Sequence, residues 1–255
     1  MRQLLPRVIP PLAAALLFVA AWQFVVDYWE IKPFLVPPPR AVAERLLADW
    51  RPLTRAWWLT AQAAICGLCL ALLTGSIVGV LFAQSRWLRF AFYPYAIFLQ
   101  TVPIVAIAPL LILWLGYGAR GVIAVAFVLS LFPIIANMTA GLLSVPRPLL
   151  ELFELNRASR WQRLWKLQLP FAIPYLVTGL KTSSGLSVIG AIVGDFFVGY
   201  GGQGFGLGYL IRTSAEGYQT PTLFATVLLS TLLGVTVFAT VGLLSEFILR
   251  RWGHD

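Results

Sequence analysis

The feature that most constrains this chain is the recurrence of apolar runs more than about 20 residues long, separated by short polar breaks. A run of that length spans a hydrocarbon core about 30 Å thick, and inside lipid only helices or closed barrels satisfy their backbone. The chain has 255 residues, of which 59% are hydrophobic and only 11% charged, against about 25% charged in soluble domains. Several spans with short connections use up this length, so the expected architecture is all-α, in one transmembrane domain covering residues 1–255.

Six spans are read, at about 8–29, 57–83, 92–115, 122–143, 171–198 and 222–249. The first begins behind Arg2 and Arg7, as a secretory signal also does, but the spans that follow favour an uncleaved first helix. Between the first two, Pro37-Pro38-Pro39 leads into Ala41, Val42, Arg45, Leu46 and Leu47, the spacing of a short amphipathic interfacial helix. In the second, Gly67, Ala71, Gly75 and Gly79 recur every four residues, a face suited to close helix packing. Pro94, Pro103 and Pro109 predict kinks in the third.

Net charge is +9, but the basic residues sit mainly in the breaks, which fits an anionic membrane surface rather than nucleic acid. Even-numbered crossing puts both termini, the 85–89 break and a 144–169 loop on one side. That side collects Arg2, Arg7, Arg86, Arg89, Arg147, Arg157, Arg160, Arg163, Lys166, Arg250 and Arg251, and the positive-inside bias assigns it to the cytoplasm.

Cys66 and Cys69 lack the second ligand pair of a zinc site and are expected to be small buried residues, so no metal is expected. No G-x-x-x-x-G-K-[ST] loop is present: Gly201-Gly202-Gln203-Gly204-Phe205-Gly206 lacks the Lys and the hydroxyl residue. The lone histidine is His254, and no nucleophile, base and acid constellation suggests catalysis.

The 144–170 segment is the most informative. Glu151, Glu154, Arg157, Arg160, Arg163 and Lys166 alternate with Leu149, Leu150, Phe153, Leu164 and Leu167 at helical spacing. Pro146 and Pro148 delimit its start and Pro170 its end, so two short helices are expected to meet near 156–159, with Ser159 capping the second.

By spacing, Glu151, Arg157 and Leu167-x-Leu169-Pro170 fall on the Glu, the Gly and the final Leu-Pro of a cytoplasmic loop motif. The motif's two small residues are Leu152 and Phe153 here, and its Gly is Arg157. With Ala158-Ser159-Arg160-Trp161-Gln162, Tyr175 to Lys181, Ile189 to Phe196, Val36 to Val42 and Gly201 to Tyr209, the chain resembles permeases of ATP-binding-cassette importers over nearly its whole length. The branch is that for nitrate, sulfonates, taurine and pyrimidine-type vitamin precursors.

The resemblance implies the type I importer permease fold, with six helices and a coupling-helix loop, in a bacterial inner membrane. It implies a second permease copy, a cytoplasmic ATPase dimer that binds ATP and Mg, and an extracytoplasmic substrate-binding protein. It places the coupling contacts at Glu151, Arg157, Ala158, Ser159, Arg160, Trp161 and Pro170, with Arg157 adding a charge where the motif has Gly. The loop version leans toward flavin or pyrimidine precursors over sulfonates and nitrate.

Gln100, Thr101 and Asn137, polar and near span prolines, are candidate pathway-lining residues. Asp195, at the outer part of the fifth span, either lines the outer mouth or serves as a helix-end charge or structural partner. Other readings are an ion-gradient secondary transporter, which calls for intramembrane charges and inverted repeats, and a non-transporting membrane scaffold.

Overall fold

The computed structural model describes residues 5–198 and 205–251, so Gly199–Gly204, Arg2 and His254 lie outside the described residues. Those described fold into eleven helices: α1 (Leu5–Tyr28), α2 (Pro39–Ala48), α3 (Trp50–Gln84), α4 (Arg86–Thr101), α5 (Ile104–Leu115), α6 (Ala119–Leu143), α7 (Arg147–Leu155), α8 (Arg160–Arg163), α9 (Leu169–Phe197), α10 (Leu207–Glu216) and α11 (Thr220–Arg251). Four helical segments are long and apolar enough to cross a membrane singly: α3, α6, the run Arg160–Phe197, and α11. The pair α4 and α5 passes that test together, and the apolar part of α1, Ala13–Tyr28, is shorter.

The core is a bundle of three mutually packed helices, α3, α6 and α9, in which α6 makes the most extensive contacts with the other two. Lipid tails are as apolar as leucine, so such helices associate through close contact of small residues. The predicted stripe does this: Gly67, Ala71, Gly75 and Gly79 are all buried. A Cβ on Gly67 would stand 2.6 Å from that of Ala126, and one on Gly79 2.7 Å from that of Met138. On the adjacent face of α6, Gly190 of α9 lies against the Ala126 backbone, and Ser183 donates to the Ser130 carbonyl at 2.7 Å.

Cys66 and Cys69 are exposed, contrary to the buried placement expected from their size. The α3 face turned to α6 is filled by the glycine stripe, and the two cysteines fall beside it.

The third span is not one kinked helix. Its two parts meet at a bend of 101°. Val102 and Pro103 are both extended, with ψ of 127° and 113°, because Pro103 has no N–H to continue the ladder and disfavours a helical residue before it. Pro94 and Pro109 stay inside their helices.

The break before it is a single residue, Ser85, whose hydroxyl accepts from the Leu88 amide. Tyr93 and Ala96 of α4 cluster with Phe82 near the end of α3, whereas Ile112 of α5 abuts Gly121 at the start of α6. The broken pair therefore runs from one end of the bundle to the other.

Two ends can be distinguished. At one lie Gln84, the break at Ser85, the 144–169 loop and the end of α11. Gln84 donates to Gln168 there at 2.8 Å. At the other lie Thr60, Val122, Asp195, α10 and the start of α11, whose Thr220 donates to the Phe34 carbonyl at 2.7 Å. Trp22, late in α1, meets Phe224, early in α11, with ring centroids 5.7 Å apart, so α1 too finishes at this end.

Candidate functional site: the 147–170 loop and the opposite end of α9

Pro146 is extended and Pro148 occupies the first turn of α7, where a missing N–H costs nothing. The helix stops in a Schellman arrangement: the Ala158 amide donates to the Phe153 carbonyl at 2.9 Å, and the Arg157 amide to that of Glu154 at 2.9 Å. This closure requires a left-handed residue, and Arg157 has φ of +50°. Glycine takes that conformation without penalty, whereas a residue with a Cβ gives up about 1 kcal/mol.

Ser159 begins the next helix with a capping box. Its hydroxyl accepts from the Gln162 amide at 3.2 Å, and its own amide donates to the Gln162 side chain at 2.8 Å. Arg163 reaches back to Glu154 at 2.7 Å and closes the angle between the two short helices. The expected pair of helices meeting at 156–159, with Ser159 as cap, is thus the observed geometry.

The end expected at Pro170 is not observed. Helix continues from Arg160 to Phe197, 38 residues, through a π-helical turn at Leu164–Gln168. The Leu169 amide donates to the Leu164 carbonyl, five residues back, and this wider turn comes just before the residue that has no amide to donate.

α7 buries none of its residues. Leu155 is 81% exposed and Trp161 66%, and Trp161 meets Trp165 edge-on at 5.6 Å. Glu151, Arg157 and Arg160 are exposed around them, and Ala158 is half-buried. Among the described residues neither Arg157 nor Arg160 has an ion-pair partner. The loop is internally braced yet presents apolar and cationic groups outward, as a docking element does.

The pathway candidates are not brought together. Gln100 and Thr101 sit exposed at the α4/α5 bend, with Thr101 donating to the Phe98 carbonyl. Asn137 lies between α6 and α9, donates to the Pro133 carbonyl at 2.8 Å and packs on Gly179.

Asp195 is at the far end, only 7% exposed, on the wall of a cavity of about 390 Å³ shared with Leu59, Gln62, Cys66 and Val122. Thr60 donates to its Oδ2 at 2.6 Å. Sequence reading missed this partnership, since 135 positions separate the two residues.

Residues 71–252 match the family of binding-protein-dependent transport system inner membrane components. The chain belongs to that family. This permease is 35% identical to the riboflavin transport system permease protein RibX of Chloroflexus aurantiacus, over 93% of its own length and 87% of the relative's. It is 34% identical to the formylaminopyrimidine transport permease protein ThiX of Halalkalibacterium halodurans, over 88% and 90%. An inward-facing structure of the MetNI methionine ABC transporter shares its fold, with a TM-score of 0.68 at 20% identity, covering 80% of the permease and 98% of that chain. The permease is a multi-pass membrane subunit of a binding-protein-dependent ABC importer.

Proposed function

We propose that the permease is one of two identical membrane halves, that two cytoplasmic ATPase subunits grip its 147–163 helix pair, and that a binding protein delivers solute at the end where Asp195 lies. Both termini are cytoplasmic in this reading, and α1, α3, the α4/α5 pair, α6, α9 and α11 make six crossings. ATP and Mg bind the partner ATPase, and this chain performs no hydrolysis itself.

The observation that carries the reading is the braced loop with its uncovered surface. Leu155, Trp161, Arg157 and Arg160 stand outward while the capping box and the Glu154–Arg163 pair hold their backbone. A lever must be stiff and graspable, and this loop is both. Glu151 and Ala158 complete the contact surface, and Pro170 lies where the loop passes into α9. Closure of the ATPases around ATP then biases the helices between inward- and outward-open arrangements.

For the solute we favour a flavin or pyrimidine-type heterocycle, because the relatives at 35% and 34% identity are named for riboflavin and formylaminopyrimidine. Gln100, Thr101 and Asn137 remain candidates for its route.

The test is reconstitution with the cognate ATPase and binding protein, measuring ATP hydrolysis and riboflavin or formylaminopyrimidine uptake. Binding-protein-stimulated hydrolysis that is lost in Arg157→Glu supports the reading. Uptake that follows an ion gradient, with no ATPase associated, rejects it.

A further inference from the structure

Asp195 has its partners within the chain already. Thr60 Oγ1 lies 2.6 Å from Asp195 Oδ2 and 3.1 Å from the Ala56 carbonyl oxygen, and its single hydroxyl proton goes to the nearer acceptor, the Asp195 carboxylate. Thr60 Oγ1 itself accepts at 2.8 Å from the amide of Leu207, the first residue of α10. Thr60 thus joins α3, α9 and α10 through one atom.

The approach is so close that side chains are excluded: a Cβ on Gly206 would overlap the Asp195 carboxylate, and one on Gly208 the Ile192 carbonyl. A carboxylate beside the first turn of a helix is also favoured by the helix dipole. A group so occupied is poorly placed to receive a cationic solute.

Asp195 stands two residues before the end of the 38-residue run Arg160–Phe197, about 57 Å long at helical rise. The other end of that run is α8, half of the docking loop. Near that end, Gln168 is tied to Gln84 of α3. So α3 and the Arg160–Phe197 run are joined by a polar contact at each end, and both pack on α6 along their length.

We propose that Thr60 and Asp195 form the pin through which movement of the loop, carried along α9, is delivered to α10 at the opposite face. They are positioning residues for transport and do not touch the solute. This rests on the loop being the ATPase docking site.

The test uses the assembled permease, ATPase and binding protein in nanodiscs, with Cys66 and Cys69 replaced by alanine. Spin labels at Ala215 of α10 and Trp29 after α1, both exposed, report the distance change on trapping with Mg-ATP and vanadate. Thr60→Val is isosteric and lacks the hydroxyl, whereas Thr60→Ser keeps it.

The expected result is that Thr60→Val lowers the shifted population about tenfold while ATP hydrolysis persists, and Thr60→Ser retains the shift. A full shift in Thr60→Val overturns the pin, as does a parallel loss of shift and hydrolysis, which marks a merely structural contact. If the unmodified complex binds no ATPase, the docking reading itself fails, and the pin with it.

Discussion

The Arg163 guanidinium meets the Glu154 carboxylate at 2.7 Å, joining two helices whose backbones are already set by a Schellman closure and a capping box. The pair is partly exposed, with Glu154 at 64%, so its own contribution is about 0–1 kcal/mol. The cap matters more. Ser159→Ala removes the acceptor for the Gln162 amide and is expected to cost about 1 kcal/mol of loop stability. Hydrogen exchange at Gln162 and Arg163 should rise about fivefold in Ser159→Ala and much less in Glu154→Gln.

Arg157 carries two separable properties, a left-handed backbone and a positive charge. Arg157→Gly relieves the conformational penalty and should protect the loop amides by about 1 kcal/mol, whereas Arg157→Ala, which keeps a Cβ, should not. Both remove the charge. If the charge contacts the ATPase, both weaken assembly alike in pull-down although only Arg157→Gly tightens the loop. If assembly instead tracks loop order, the charge has no role.

Two glycines five residues apart on α9 should respond oppositely to alanine. A Cβ at Gly190 would stand 2.7 Å from the Ala126 Cα and 2.9 Å from the Val125 carbonyl, backbone atoms that have no rotamer to change. At Gly185 nothing lies within 4 Å. Gly190→Ala is expected to lose about 1–3 kcal/mol, and Gly185→Ala to be neutral or slightly stabilising. Thermal unfolding of the detergent-solubilised chain, followed by tryptophan fluorescence, compares the two.

Local rules accounted for the elements with local causes. Ser159 followed by Gln162 reads as a cap, the four-residue repeat of Gly67 to Gly79 reads as a packing face, and the structure has both. The expected helix end at Pro170 is absent and the expected kink at Pro103 is sharper than a kink, for one reason: proline penalties depend on what the neighbouring turn can do. A π-helical turn accommodated Pro170, whereas the extended pair Val102 and Pro103 broke the third span outright. Long-range pins were not legible. Nothing near Thr60 in the sequence points to Asp195, and Gln84 gives no sign of Gln168. Small size alone does not bury Cys66 and Cys69, because the glycines between and beyond them occupy the face of α3 that packs on α6.

The exposure of Cys66 supplies a test of orientation. Cys66 is exposed and lines the cavity beside Asp195, at the end opposite the 147–163 loop. A thiol in contact with water reacts as its thiolate, so a small membrane-impermeant thiosulfonate applied to right-side-out vesicles should modify Cys66 in a Cys69→Ala background. Substituting Gln62, also on the cavity wall, with tryptophan should slow the labelling by blocking the mouth. Labelling from the extracytoplasmic side fixes the loop and both termini in the cytoplasm. Labelling only in inverted vesicles would reverse the orientation and put the loop out of reach of any cytoplasmic ATPase.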